Sequence, residues 1–226
     1  MSLQQPLIFG INTTVAESKK TRAGVAFVIG KTKTGSTVLA TCAHILGPVT
    51  TNGIYIHDKD GNRINLTDNT SGILCNQGKS ALDLGFLEID SETRPEVARF
   101  SDKRITLGDT LTHARNNLSD IDKPASVFQY SSETLNSGPR MRHAYHVHSG
   151  FRIQDDPKVR NALEKQGATF DYAVLEMQSR VGVSGSPLWD SFGRVRGMVC
   201  GGSDEEKELI FLPIKTIQKR FKSSYR

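Results

Sequence analysis

Short apolar runs alternate along this chain with turn-forming clusters of Gly, Asn, Asp and Lys-Thr. The apolar run 24–30 ends at a Lys-Thr-Lys-Thr-Gly-Ser turn, and the run 37–42 returns from it, which predicts a β-hairpin. The other predicted strands are 53–57, 63–66, 84–89, 110–113, 126–130, 143–148, 173–177, 194–199 and 209–212. Short strands at this spacing are typical of an all-β sandwich or a pair of barrels.

Two segments depart from the strand pattern. A helix is predicted between Asp155 and Gly167, because acidic residues and a proline stand at its start and a glycine at its end. The C-terminal stretch places Ile214, Ile217 and Phe221 on one face and basic residues on the others. This pattern predicts a terminal amphipathic helix, whose apolar face we expect to pack on the second half of the chain.

The composition and the N-terminal sequence limit the classes of protein to which this chain can belong. The chain has 226 residues, of which 37% are hydrophobic and 23% charged, a mixture typical of a globular protein. A net charge of +5 permits nucleic-acid binding without arguing for it. The N-terminus lacks the pattern of a secretory signal, and no stretch approaches the roughly 20 apolar residues that span a bilayer. We therefore expect a soluble protein with no membrane partner.

The cysteines bear on the cellular compartment. Cys42, Cys75 and Cys200 are odd in number and widely spaced, so they predict neither a disulfide framework nor a zinc site. A reduced, cytoplasmic location follows as an expectation.

The segment Val181-Gly-Val-Ser-Gly-Ser-Pro-Leu188 is the most informative part of the chain. Ser184 stands between glycines after an apolar strand, as a nucleophilic serine on a sharp turn requires. Gly182 would let the backbone turn its N–H toward an attacked carbonyl, and Ser184 would supply a second N–H. A glycine- and serine-rich surface turn has the same composition, so the segment alone does not decide between the two.

A serine nucleophile needs a base, and the base needs an orienting acid. His44 follows the apolar run 37–42, where we expect its imidazole to be held rigidly at the end of a strand. Asp83 opens the strongly apolar strand 84–89, an unusual place for a charge without a partner. Each residue could also be an ordinary histidine or aspartate at a strand end, without a catalytic role.

Taken together, Thr-Cys-Ala-His44, Asp83-Leu-Gly-Phe-Leu-Glu-Ile and Gly182-Val-Ser-Gly-Ser-Pro resemble the three catalytic blocks of chymotrypsin/trypsin-fold serine peptidases. The blocks occur in the order His, Asp, Ser. The stretch 211–219 is similar to the end of Deg/HtrA-type peptidase domains, although no PDZ module is expected after Arg226. Val183 stands where secreted trypsins carry an aspartate, so the resemblance favours the Deg-like branch, without trypsin-like zymogen activation.

The resemblance implies a fold and a domain organisation. We expect an all-β, chymotrypsin-like protein with two antiparallel six-stranded Greek-key barrels and a C-terminal helix. Residues 1–103 would form the barrel that carries His44 and Asp83, and residues 104–226 the barrel that carries Ser184.

The same resemblance implies a serine endopeptidase that forms an acyl-enzyme on Ser184, with His44 as base and Asp83 as orienting acid. Gly182 and Ser184 would form the oxyanion hole. The substrate-binding residues implied are Gln178, Cys200, Gly201 and Gly202. Because Gln178 replaces the aspartate that selects basic residues in trypsin, we expect a pocket for neutral side chains. Protein or peptide substrates are expected, and no cofactor or metal is needed.

Two other functions stay open at the level of sequence. The chain could be a catalytically silent trypsin-fold scaffold, or a basic nucleic-acid-binding β protein supported only by its charge. A cluster of His143, His146 and His148 suggests metal binding only weakly, because no third ligand of another type lies near it in the sequence. The sequence is also compatible with a regulatory partner or an oligomer.

Overall fold

The fold rests on antiparallel β-sheets and is taken from a computed structural model. Its described residues are 8–14, 21–47, 53–57, 63–66, 70–75, 82–89, 125–135, 138–148, 173–176, 182–189, 195–203 and 208–225. The strands of the first half are β1 (Ile8–Thr14), β2 (Thr21–Lys31), β3 (Thr37–Thr41), β4 (Ile54–His57), β5 (Arg63–Asn65), β6 (Thr70–Cys75) and β7 (Leu84–Ile89), with the short helix α1 (Ala43–Leu46) after β3. The second half contains β8 (Ala125–Leu135), β9 (Gly138–His148), β10 (Ala173–Glu176), β11 (Pro187–Trp189), β12 (Val195–Ser203), β13 (Glu208–Pro213) and the helix α2 (Ile214–Tyr225).

The first sheet has seven strands in the order β5-β4-β1-β2-β3-β7-β6. The second half forms a four-stranded sheet, β10-β13-β12-β11, and a separate pair, β8-β9. The expectation of six strands in each half therefore does not match the first sheet, and the described residues do not form two closed barrels. The all-β architecture with a C-terminal helix is confirmed.

Most of the predicted strands overlap observed ones. Their continuous apolar runs are buried almost throughout, as in β3 and β7. Three observed strands were missed: β1, β6 and β11. In β1 the reason is burial of polar side chains, since Asn12 and Thr13 are fully buried although their sequence is typical of a loop. The predicted strand 110–113 and the predicted helix before Gly167 lie outside the described residues.

A continuous apolar core fills the first sheet and extends to the C-terminal helix. Ile214, Ile217 and Phe221 are buried, as the helical pattern predicts. The Phe221 ring packs edge-on against Phe86 of β7, with centroids 6.2 Å apart. The helix also contacts β12 and β13. Sequence reasoning placed it on the second half alone, whereas the bulk of Phe221 lets it pack on both halves. In the described part of the chain, no helix combines the length and apolarity needed to cross a membrane.

Replacing Phe221 by alanine tests whether the helix holds the two halves together. The side chain is 5% exposed, and loss of a buried phenylalanine costs about 3–5 kcal/mol. We expect Phe221→Ala to lower the free energy of unfolding by about this amount in urea titrations. The control Lys222→Ala, at an exposed position of the same helix, should change it by less than about 0.5 kcal/mol. Equal small losses in both variants would contradict this packing.

Candidate active site

The register between β3 and β7 places His44 beside Asp83. Thr41, the last residue of β3, pairs with Gly85 of antiparallel β7. Residues that follow Thr41 and residues that precede Gly85 must therefore meet at the same end of the sheet. His44 lies just after the end of β3, as expected, and the structure adds that it belongs to the single-turn helix α1.

One carboxylate holds His44 at two points. The His44 backbone N–H donates to Asp83 Oδ1 over 2.9 Å. The ring nitrogen Nδ1 lies 2.6 Å from Asp83 Oδ2. An ionised carboxylate accepts hydrogen bonds, so this contact favours Nδ1–H as the donor and directs Nε2 away from Asp83.

Polar side chains anchor the turn that carries His44. Arg22 Nη1 donates to the His44 carbonyl over 2.8 Å, and Thr13 Oγ1 donates to the Ile45 carbonyl. Both carbonyls belong to the end of a short helix, where no further turn can satisfy them. The His44 and Asp83 side chains remain 47% and 27% exposed, so the pair is rigidly held and still reachable from solvent.

The turn around Ser184 is held between the two halves of the chain. The Ser184 carbonyl accepts a 2.8 Å hydrogen bond from the N–H of Val25 on β2. On the other side, the Gly185 N–H donates to the Val199 carbonyl over 2.7 Å, and the Val199 N–H donates to the Ser186 carbonyl over 2.8 Å. Strand β2 neighbours β3, the strand that leads into His44, so these bonds bring Ser184 to the region of the His44–Asp83 pair.

Gly185 permits this close approach. Its φ of +85° is a conformation that side chains with a Cβ disfavour. A Cβ at this position would lie 1.9 Å from the Val25 carbonyl oxygen and 2.7 Å from Thr41 Oγ1. Thr41 Oγ1 in turn donates to the same Val25 carbonyl over 2.7 Å. Only glycine lets the serine turn lie directly against β2 and β3.

Strand β12 carries the predicted substrate-binding residues Cys200, Gly201 and Gly202. Cys200 and Gly201 are half-buried and Gly202 is exposed. β13 covers one edge of β12 as far as Ser203, whereas the ladder with β11 on the other edge reaches only to Met198. Within the described residues, this second edge therefore carries no strand beside Cys200 to Gly202.

Two cysteines lie behind the His44–Asp83 pair. The sulfur atoms of Cys42 and Cys200 and a carboxylate oxygen of Asp83 all lie within 4.8 Å of one another. The Cys42 thiol is fully buried and donates to the Val199 carbonyl over 3.1 Å. Burial, together with the neighbouring Cys200 and Asp83, raises the pKa of the Cys42 thiol. The thiol therefore stays protonated and uncharged at neutral pH.

The structure brings together most of the residues singled out from the sequence. His44 and Asp83 are in direct contact, and the Gly182–Ser184 turn is in the described part of the chain, with Gly182 buried. Gln178 lies outside the described residues and stays a prediction. Sequence reasoning missed the roles of Arg22 and Cys42. The position of Cys42 two residues before His44, within the Thr-Cys-Ala-His44 block, was the available signal.

Comparisons with known proteins establish the family and the fold. The family model for the trypsin-like peptidase domain matches residues 24–198. The solved structure of the HtrA-type protease AlgW with a tripeptide has a TM-score of 0.61 at 16% identity, covering 98% of this chain and 61% of AlgW. The active form of the Rv3671c protease from M. tuberculosis has a TM-score of 0.60 at 16% identity, covering 96% of this chain and 80% of that one.

The chain thus spans less than two thirds of the length of AlgW. A search of the curated proteins finds no match. At these low identities the solved structures establish the fold, and the family model establishes the family.

Substitution of Gly185 tests the packing of the serine turn. Gly185→Ala combines a positive φ with a clash at the Val25 carbonyl. Gly35→Ala is a matched control, because Gly35 has a φ of +91° and open space around its missing Cβ. We expect Gly35→Ala to lower the free energy of unfolding by about 1–2 kcal/mol, the cost of a left-handed backbone with a Cβ. Gly185→Ala should lose a further ~1–3 kcal/mol, because its Cβ also overpacks the turn. If both variants lost the same free energy of unfolding in urea titrations, the close packing of the turn against β2 would be contradicted.

Proposed function

The chain belongs to the trypsin-like peptidase family, and we propose that it is a serine endopeptidase that cleaves proteins or peptides through Ser184, His44 and Asp83. The observation that carries the proposal is the doubly held His44, whose backbone N–H and ring Nδ1 both bind the Asp83 carboxylate. The attachment of the Ser184 turn to β2 supports it further.

The proposed reaction is acyl transfer to Ser184. His44 Nε2 accepts the hydroxyl proton as the oxygen attacks the peptide carbonyl, and Asp83 stabilises the imidazolium that forms. The proton then passes to the leaving amine, which departs and leaves the acyl-enzyme. Water attacks the ester with His44 again as base, and Ser184 is regenerated. Because Nδ1 already faces Asp83, the ring does not need to turn or change tautomer during these steps.

The N–H groups of Gly182 and Ser184 would stabilise the tetrahedral oxyanion, each by about 3 kcal/mol. The adjacent N–H groups of Gly185 and Ser186 already donate to the Val199 and Val183 carbonyls. These bonds fix the turn and so support a preorganised oxyanion hole.

The uncovered edge of β12 suggests how a substrate would bind. An extended peptide could add to this edge alongside Cys200, Gly201 and Gly202, with its main chain hydrogen-bonded as in an antiparallel sheet. Glycine at two of these positions leaves space for the side chain next to the scissile bond. Gln178 would contribute to the same pocket.

Several finer expectations remain part of the proposal. They are two closed barrels, carried by residues 1–103 and 104–226, and a cytoplasmic location. The odd, widely spaced cysteines support that location. A regulatory partner or an oligomer is left open.

Labelling with a fluorophosphonate probe tests the proposed triad. We expect stoichiometric modification of Ser184, mapped by peptide mass spectrometry, and none in Ser184→Ala. His44→Ala should slow labelling more than about 10³-fold, because the serine loses its base. Asp83→Asn should lower kcat for a peptide substrate about 10⁴-fold, because it imposes the wrong tautomer on His44.

Ser186→Ala is the matched control, because this second serine of the turn is fully buried and should not react. Its labelling should equal that of the unmodified protein. Absence of labelling in a chain that unfolds cooperatively would contradict the proposal and favour a catalytically silent scaffold. Binding of DNA or RNA that weakens steeply with salt would instead favour the nucleic-acid-binding alternative.

Cleavage preference tests the proposed pocket. Because Gln178 supplies no negative charge, a peptide library should be cleaved after neutral side chains, with Lys and Arg disfavoured at that position. Replacing Gln178 by Asp should shift the preference toward Lys and Arg. Preferential cleavage after basic residues by the unmodified protein would contradict the prediction.

A further inference from the structure

We infer that Cys42, Cys200 and Asp83 form a binding site for a soft divalent metal ion such as Zn²⁺, placed behind the proposed catalytic pair. Sequence reasoning expected no metal, since the three residues are far apart in the chain. The fold brings one ligand atom of each within 4.8 Å of the others. Two sulfur atoms and a carboxylate are a donor set that zinc prefers.

The distances are close to those that zinc requires. With Zn–S bonds of about 2.3 Å and a Zn–O bond of about 2.0 Å in a tetrahedron, the sulfur atoms would be about 3.8 Å apart and each about 3.5 Å from the oxygen. Since the three atoms lie within 4.8 Å of one another, each pair would have to close by at most about 1 Å, which small side-chain rotations can supply. Water would occupy the fourth position.

The Asp83 carboxylate in this part of the structure also favours a cation. The Asp83 carboxylate and two ionisable thiols converge on one point, and Arg22 donates to the His44 carbonyl rather than to this cluster. A divalent ion would compensate the negative charge of the two thiolates that its binding creates.

A metal ion in solution can reach the cluster of Cys42, Cys200 and Asp83, although Cys42 itself is buried. Cys42 is fully buried, but Cys200 is half-buried and the Asp83 side chain is 27% exposed. Binding is balanced as a proton exchange: two S–H bonds break, two metal–sulfur bonds form, and two protons pass to the solvent. No electron is transferred, so no oxidant is required.

Metal binding would compete with the proposed catalysis. An Asp83 carboxylate bound to a metal is a weaker acceptor for His44 Nδ1, so the imidazole would lose the partner that orients it. This consequence rests on the proposed function, whereas the binding itself does not. We therefore expect the ion to act as a reversible inhibitor.

The test is a titration of the full-length chain with Co²⁺, which reports its ligands by absorption, in the presence of a phosphine reductant that keeps the thiols reduced. We expect one Co²⁺ per chain, with a thiolate-to-cobalt charge-transfer band and displacement by Zn²⁺. The titration is repeated on Ser184→Ala, whose binding should be unchanged whether or not the chain is a peptidase.

The variants Cys42→Ala and Cys200→Ala should each weaken binding by more than about 100-fold, beyond the usual loss for an outer-sphere partner. Cys200→Ala keeps the test decisive if the fully buried Cys42 is needed for folding. Cys75→Ala removes the third thiol of the chain and should bind normally. Cobalt without a thiolate band, or binding that survives in Cys200→Ala, would place the metal elsewhere, for example on the histidines of β9, and would overturn the inference.

Fluorophosphonate labelling with and without Zn²⁺ then tests the inhibition. Slower labelling at one Zn²⁺ per chain, restored by a chelator and absent in Cys42→Ala, which leaves the proposed substrate-binding residues of β12 unchanged, supports it. Thiolate-bound metal with unchanged labelling would overturn the inhibitory role alone. A chain that binds metal but is never labelled would contradict the proposed peptidase function and leave the metal site standing.

Discussion

The contact between Asp83 and His44 fixes the geometry on which the candidate site depends. One carboxylate accepts hydrogen bonds from both the backbone and the ring of the same histidine. The backbone bond positions the helical turn, and the ring bond orients the imidazole within it. Both require that β3 and β7 end side by side, which the pairing of Thr41 with Gly85 ensures. The two hydrogen bonds of the His44–Asp83 pair therefore form only when β3 and β7 are paired in this register.

The serine turn is coupled to that pair through backbone contacts. Its bonds to Val25 and Val199 link strands that lie far apart in the chain, and Gly185 is the residue that lets them form. Phe221 links the two halves at another point, through its contact with Phe86. A catalytic site shared between two halves needs such links, because a shift of about 1 Å between reacting groups can cost about 100-fold in rate.

The proximity of the cysteines to Asp83 gives the proposed metal ion a route to the candidate site. A metal ion bound to the Asp83 carboxylate would not need to touch the serine or the substrate to alter the proposed reaction. It would act through the orientation of His44, which depends on the two hydrogen bonds to Asp83.

The sequence by itself determined the all-β class, most strands, the terminal helix and the identity of His44, Asp83 and Ser184 as candidates. These features follow from local periodicity and from short motifs, which are contained within a few neighbouring residues. Only the tertiary structure decided that β1 is a buried strand, that His44 lies on a helical turn, and that Cys42 and Cys200 approach Asp83. Each of these depends on strand register and on contacts between distant segments. The burial of Asn12 and Thr13 and the meeting of two remote thiols have no local signature in the chain, because the atoms that cause them come from elsewhere in the fold.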